Sequence, residues 1–190
     1  MFDKISVYKI IKSHIQTLRS FNEDRLMKRD FFLFYIAPAL FGCALVYKNI
    51  YLSEGVITNL IAAMSIFAGF LFNLLAIVYS LVDKIKASIK DDRDAEIKKK
   101  LLSEVLSNIS YTIIISVLLV VLLITALFLP ICKINNIRLP NISDLKLASL
   151  ICFISIFIHT SIYLFLTNFI LTLLMILQRV HILMRREIAD

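Results

Sequence analysis

The run from Val56 to Asp83 constrains this chain more than any other feature, because it is long enough to cross a bilayer as one helix and carries a second pattern inside its hydrophobicity. Thr58, Ala62, Ser65, Gly69, Asn73, Ala76 and Ser80, followed by Asp83, recur at steps of three or four and share one helix face. Ile, Leu, Phe, Val and Met fill the other faces. Apolar side chains gain little by leaving lipid for one another, so small residues that let backbones approach are what bring helices together in a bilayer. The seam is expected to face protein as a packing surface. A face lining a hydrated path is the alternative.

Residues 31–52, 109–131 and 147–178 are also apolar, which gives four predicted spans together with 56–83. Hydrophobic residues make up 59% of the 190-residue chain, more than a water-soluble domain of this size can bury. The expected fold is an all-α membrane protein with four transmembrane helices in 31–190, preceded by a cytosolic arm at 1–30. The second helix is expected to outrun the membrane: from Val56 to Lys90 it would measure about 52 Å against a hydrocarbon core of about 30 Å. A cytosolic helical hairpin is therefore predicted over 84–108, charged at its tip. The third span holds no charge, which suits a helix largely facing lipid.

The distribution of charge sets the expected topology. The net charge is +7. Lys and Arg number seven before the first span, one in the first loop, seven between Lys84 and Lys100, three in the third loop and three at the end. That bias is expected to place both termini and the middle loop in the cytoplasm, with the chain multi-pass in its membrane. The first thirty residues contain no apolar run of the signal-peptide kind, so the first span is expected to target the chain. Within the arm, Ile5, Tyr8, Ile11, Ile15 and Leu18 form an apolar stripe flanked by Lys4, Lys9, Lys12 and Arg19. Such an amphipathic helix fits the inner leaflet, whose anionic headgroups attract each basic residue by about 1 kcal/mol. Docking on a neighbouring subunit is the alternative.

The fourth span has a polar stripe of its own: Ala148, Cys152, Ser155, His159, Tyr163 and Thr167, with Asn168 beside it. His159 is open to three readings: a buried neutral imidazole bonded to a neighbouring helix, a residue of a proton or ion path, or a ligand contact. Asn73 and Asn168 raise the same question, and interhelical hydrogen bonds answer it without transport. Pro38 and Gly42 in the first span need no functional explanation. Cys43, Cys132 and Cys152 lack metal-ligand spacing and read as small apolar residues, with no disulfide framework.

Chemistry-bearing constellations are missing from the sequence. Intramembrane proteases need paired acids, a Ser with a His, or a metal motif inside a span; no carboxylate lies deep in a span, and Ser161 falls on a different face from His159. Neither an enzyme nor a metal or cofactor site is expected. The 83–104 segment carries seven basic and six acidic residues, a mixed surface that does not suit direct nucleic-acid binding. At its tip Lys90, Asp91, Asp92, Arg93 and Asp94 form a candidate docking site for a soluble protein, with a plain turn as the alternative.

The layout of four spans, inward termini and a hairpin, with the stretch Gly69-Phe70-Leu71-Phe72-Asn73-Leu74-Leu75 followed by Tyr79-Ser80, resembles small membrane proteins of bacterial antiphage defence. The nearest in layout are the membrane subunits of the Kiwa system, KwaA. The resemblance implies an inner-membrane homo-oligomer that senses phage attack and works with a cytosolic partner that binds nucleic acid. Two functions are therefore expected to compete: a scaffold that senses membrane disturbance and recruits a cytosolic protein, or an oligomeric channel or membrane-perturbing pore. Small-residue seams on two helices favour a homo-oligomer in either case.

Overall fold

The computed structural model describes residues 7–17, 32–87, 93–129 and 142–189, with the side chains at 83–87, 93–96, 142–149 and 186–189 outside the description. Its helices are α1 (Val7–Thr17), a π-helical turn (Phe32–Ile36) running into α2 (Ala37–Tyr47), α3 (Glu54–Ala87), α4 (Arg93–Leu127) and α5 (Ile142–Ala189). No strand occurs among the described residues. Three helical stretches are long and apolar enough to cross a membrane: Glu54–Val82, Ile97–Leu127 and Leu150–Arg185.

The predicted first span is shorter than expected. It consists of five residues of π-helix and eleven of α-helix, roughly 24 Å at most. The chain leaves the helix after Tyr47 through a complete C-terminal cap: Lys48 N–H bonds to Ala44, Asn49 N–H to Val46, and Ile50 N–H to Leu45. Asn49 takes the left-handed conformation (φ 57°) that this cap requires and that Asn tolerates better than most residues.

The helices are arranged around α4, which packs against α3 on one side and α5 on the other; α2 lies on α5, and α1 on α4. Half of the apolar window of α4 is buried, against 17% of that of α3. This reverses the expectation that the third span would largely face lipid. An uncharged Ile-Leu-Val helix is compatible with either surroundings, and here its buried positions, among them Val105, Ile109, Ile115, Leu119 and Leu123, form the centre of the core.

Within the single chain, a different face of the second span is the one that packs. The part of α3 that enters the core is Ile57, Met64, Leu71 and Val78, repeating every seven residues. A seven-residue repeat keeps large side chains on one seam between two long helices. The small-residue face from Thr58 to Ser80 lies elsewhere on the cylinder and is exposed throughout. α3 and α4 are both continuous and pack together, and residues 88–92, where the hairpin tip is predicted, lie outside the described residues.

α2 is fitted closely to α5. Pro38, Gly42 and Val46, at steps of four, are its buried ridge. A Cβ added at Gly42 would stand 3.0 Å from the Thr160 carbonyl oxygen and 3.3 Å from Tyr163 Cβ, so Gly42 sets the approach of the two backbones. Gly69 has open space around it. The close-packing glycine of this chain is therefore in the first helix pair, not in the α3 seam.

Candidate functional site

A connected polar cluster joins four helices, with residues of α4 from Glu104 to Tyr111 and of α5 from Asn168 to Arg179. It begins on α1, where Ser13, His14 and Thr17 sit at steps of one and three on the edge facing α4. His14 is fully buried and stacks on Tyr111 with ring centroids 3.8 Å apart. Its Nδ1 donates to Asn108 Oδ1 at 2.9 Å. The Thr17 hydroxyl lies 2.8 Å from the same oxygen and 2.7 Å from the His14 carbonyl. An amide oxygen can only accept, so the imidazole proton is on Nδ1 and Nε2 is bare. Ser107 donates to Ser13 at 2.7 Å, a further tie one residue away on each helix.

The charged part of the cluster lies at the end of α1. Arg179 of α5 donates to the Thr17 carbonyl at 2.7 Å. The same guanidinium pairs with Glu104 of α4 at 2.9 Å. Burial pushes the His14 pKa down to about 4; the Asn108 hydrogen bond opposes this, and the nearby Arg179 charge adds to it. The imidazole is therefore neutral near pH 7.

The cluster continues outward to α2. Tyr111 donates its hydroxyl to Asn168 Oδ1 at 3.1 Å, and Asn168 Nδ2 donates to the Phe34 carbonyl at 2.9 Å. That carbonyl is four residues before Pro38, which has no N–H to offer it. A side chain of α5 thus takes the place of a missing backbone donor in α2. Within the cluster, His14 Nε2 and Asn108 Nδ2 are buried without a partner among the described residues.

A second, smaller group lies under the turn between α2 and α3. His159 is buried, its Nδ1 bonded to the Ser155 carbonyl at 2.9 Å and its ring edge-on to Tyr51 at 5.1 Å. Tyr163 donates to the Ile50 carbonyl at 2.9 Å. Ser155, His159, Tyr163 and Asn168 of the predicted stripe are buried inside the chain. Thr167 is half-buried and bonds its own helix at Tyr163, while the Ala148 side chain lies outside the description. This stripe packs within one chain.

The predicted seam is placed differently. Thr58, Ala62, Ser65, Gly69, Asn73, Ala76 and Ser80 are all exposed, on a face that meets no other described helix. Three of its hydroxyls turn back onto their own helix: Thr58 to Glu54, Ser65 to Ile61 and Ser80 to Ile77. Of the predicted docking residues, Lys90, Asp91 and Asp92 lie outside the described residues; Arg93 and Asp94 open α4, with their side chains outside the description.

Cys43 is free and exposed, whereas Cys152 is disulfide-bonded, which corrects the expectation of separate apolar thiols. Pairing depends on distance across the fold, which spacing along the chain does not report. Cys132 lies outside the described residues.

The sequence reading missed the α1–α4–α5 cluster. A signal was present in Asn108, Thr112 and Ser116, three polar residues at steps of four on one face of α4 and all buried. His14 and Thr17 form the matching edge on the arm. Among the described residues, no group of His, Cys, Asp or Glu could hold a metal ion. Glu104 is held by Arg179, and the bonds of the cluster run between α1, α4 and α5, which is the geometry of a latch between helices. In comparisons with protein-family models, curated proteins and solved structures, this chain matches none.

Proposed function

We propose that this chain is a non-enzymatic scaffold of a bacterial inner membrane that assembles into a homo-oligomer through the small-residue face of α3. In this reading it recruits a cytosolic protein at the 84–108 segment and responds to disturbance of the membrane, as a component of antiphage defence. The observation that carries the assembly is the outward seam. Seven small or polar residues face outward over a helix of which 17% of the apolar window is buried. A second copy of the same face is its natural partner, since small residues allow the backbones to meet and Asn73 supplies an amide that bonds across a symmetric contact.

Dry packing is favoured over a hydrated path. Thr58, Ser65 and Ser80 already satisfy their hydroxyls on their own helix, and the fourth-span stripe is used inside the chain. Both termini inside the cell is the orientation that fits the Lys and Arg distribution, with Phe32–Tyr47 crossing as the shortest of four spans. The bonded Cys152, near the opposite end of α5 from Arg179, fits the same orientation because disulfides persist on the oxidising side of the membrane. The antiphage role rests on the resemblance carried by the layout and by Gly69–Leu75.

The test is purification from a bacterial membrane together with native neighbours, followed by native mass determination. A symmetric oligomer carrying a stoichiometric cytosolic protein supports the scaffold. A bare monomer contradicts it, and a bare oligomer that conducts ions in a planar bilayer transfers the case to the pore.

A further inference from the structure

We infer that α1 is an anionic-lipid-binding arm, latched to the bundle along one edge so that a second edge enters the inner leaflet and a third meets lipid phosphates. This rests on the inward orientation proposed above. The three edges separate on the helix. Ile10, Ser13, His14 and Thr17 are buried or half-buried against α4, joined to Ser107, Asn108 and Tyr111. About a third of a turn away lie Val7, Tyr8 and Ile11, apolar and exposed, with Tyr8 at 72%. Lys9 and Lys12 complete the circle and are also exposed.

The edge that docks is thus the polar one, and the apolar edge is left uncovered. A helix docking on protein through hydrophobic burial alone would do the reverse. The latch also fixes the depth of α1. Asn108 stands where the charged part of α4 gives way to Ile109–Leu127, and Arg179, which holds the last carbonyl of α1, lies about 16 Å along α5 beyond Asn168. A helix held there, beside membrane-crossing stretches of α4 and α5, has headgroups and the upper acyl chains as its remaining neighbours. Exposed apolar side chains beside exposed lysines are complementary to an anionic leaflet and to no feature of the bundle itself. Because the arm is anchored to both α4 and α5, a change in that leaflet acts on the inner ends of two helices.

The chain contains no tryptophan, so a single introduced one reports without background. The experiment places Tyr8→Trp in the full-length chain and reconstitutes it in vesicles of phosphatidylcholine with and without phosphatidylglycerol, using lipids brominated along the acyl chains. Quenching by brominated lipid, stronger with phosphatidylglycerol and weakened by salt, is the expected result. Lys9→Gln with Lys12→Gln should abolish the phosphatidylglycerol preference, since two lysines near the surface contribute roughly thirty-fold. Ile11→Trp repeats the measurement should Tyr8→Trp fail to fold. An unquenched tryptophan in both vesicles overturns the inference, as does quenching indifferent to lipid charge. The native mass of the same preparation tests assembly separately, so the arm and the oligomer fail independently.

Discussion

The side-chain amide of Asn168 donates to the carbonyl of Phe34 at 2.9 Å, filling the place of the backbone N–H that Pro38 lacks. One contact therefore repairs the helix interruption in α2, orients Tyr111 through the other end of the amide, and ties α2 to α4 through α5. Proline is tolerated in membrane helices when a neighbouring helix satisfies the freed carbonyl, and here the neighbour is identified.

Asn168→Leu should lower thermal stability in detergent by about 1–3 kcal/mol, because it removes two buried hydrogen bonds, one to Tyr111 and one to the Phe34 carbonyl. In a Pro38→Ala background, where residue 38 can supply the N–H, the same substitution should cost less. The double-mutant cycle measures the difference, and strict additivity would mean that the two positions act separately.

Gly42 and Gly69 should behave oppositely. Gly42→Ala brings a Cβ to within 3.0 Å of a backbone oxygen of α5 and should cost about 1–3 kcal/mol in unfolding of the chain itself. Gly69→Leu meets open space within the chain, so its unfolding should stay within about 0.5 kcal/mol of wild type once subunits are separated. Its effect should appear as loss of the oligomer in native mass measurements.

Acid should release the arm. The folded-state pKa of His14, about 4, lies below the 6.5 of a free imidazole, so the unfolded chain binds the proton more readily than the docked one. Stability of the docked state is complete above about pH 6.5 and falls as the pH drops toward 4, by roughly 3 kcal/mol in all. The groups facing the ring are Asn108 and Tyr111 of α4, with Arg179 of α5 paired to Glu104 nearby. Limited proteolysis between α1 and α2 should accelerate over that interval in wild type and lose that pH dependence in His14→Gln. Cleavage that is indifferent to pH in wild type would show that the ring is not buried.

Thiol labelling under denaturing conditions should modify Cys43 at once and Cys152 only after reduction. Labelling of Cys152 without reductant would remove the disulfide and the support it gives to the proposed orientation.

The extent of α3 could be read from the sequence because length and apolar content are local properties; the predicted 56–83 lies inside the observed Glu54–Ala87. Which face of each helix turns inward could not be read in the same way. In lipid, Ile57, Met64, Leu71 and Val78 and the Thr58–Ser80 seam are both acceptable interior surfaces, and the choice depends on how α4 meets α3. The end of α2 was overestimated because Ile50 to Leu52 continue the apolar run beyond the cap that Asn49 completes. The polar cluster was hidden for a different reason. His14, Asn108 and Arg179 are far apart in sequence, and the only sign that Asn108 is internal is its step-of-four spacing to Thr112 and Ser116. Ser155, His159, Tyr163 and Asn168 are buried, but His159 bonds the Ser155 carbonyl of its own helix where a neighbouring helix was expected.

The central claim is that the exposed face of α3 is where copies of this chain meet. Site-directed cross-linking in native membranes tests it most directly, with Gly69→Cys in a Cys43→Ser background and Phe70→Cys, an exposed neighbour about 100° around the helix, as the control. The account predicts a cross-linked dimer from position 69 on mild oxidation and little or none from position 70. Equal cross-linking at both positions, or none at position 69, would contradict it.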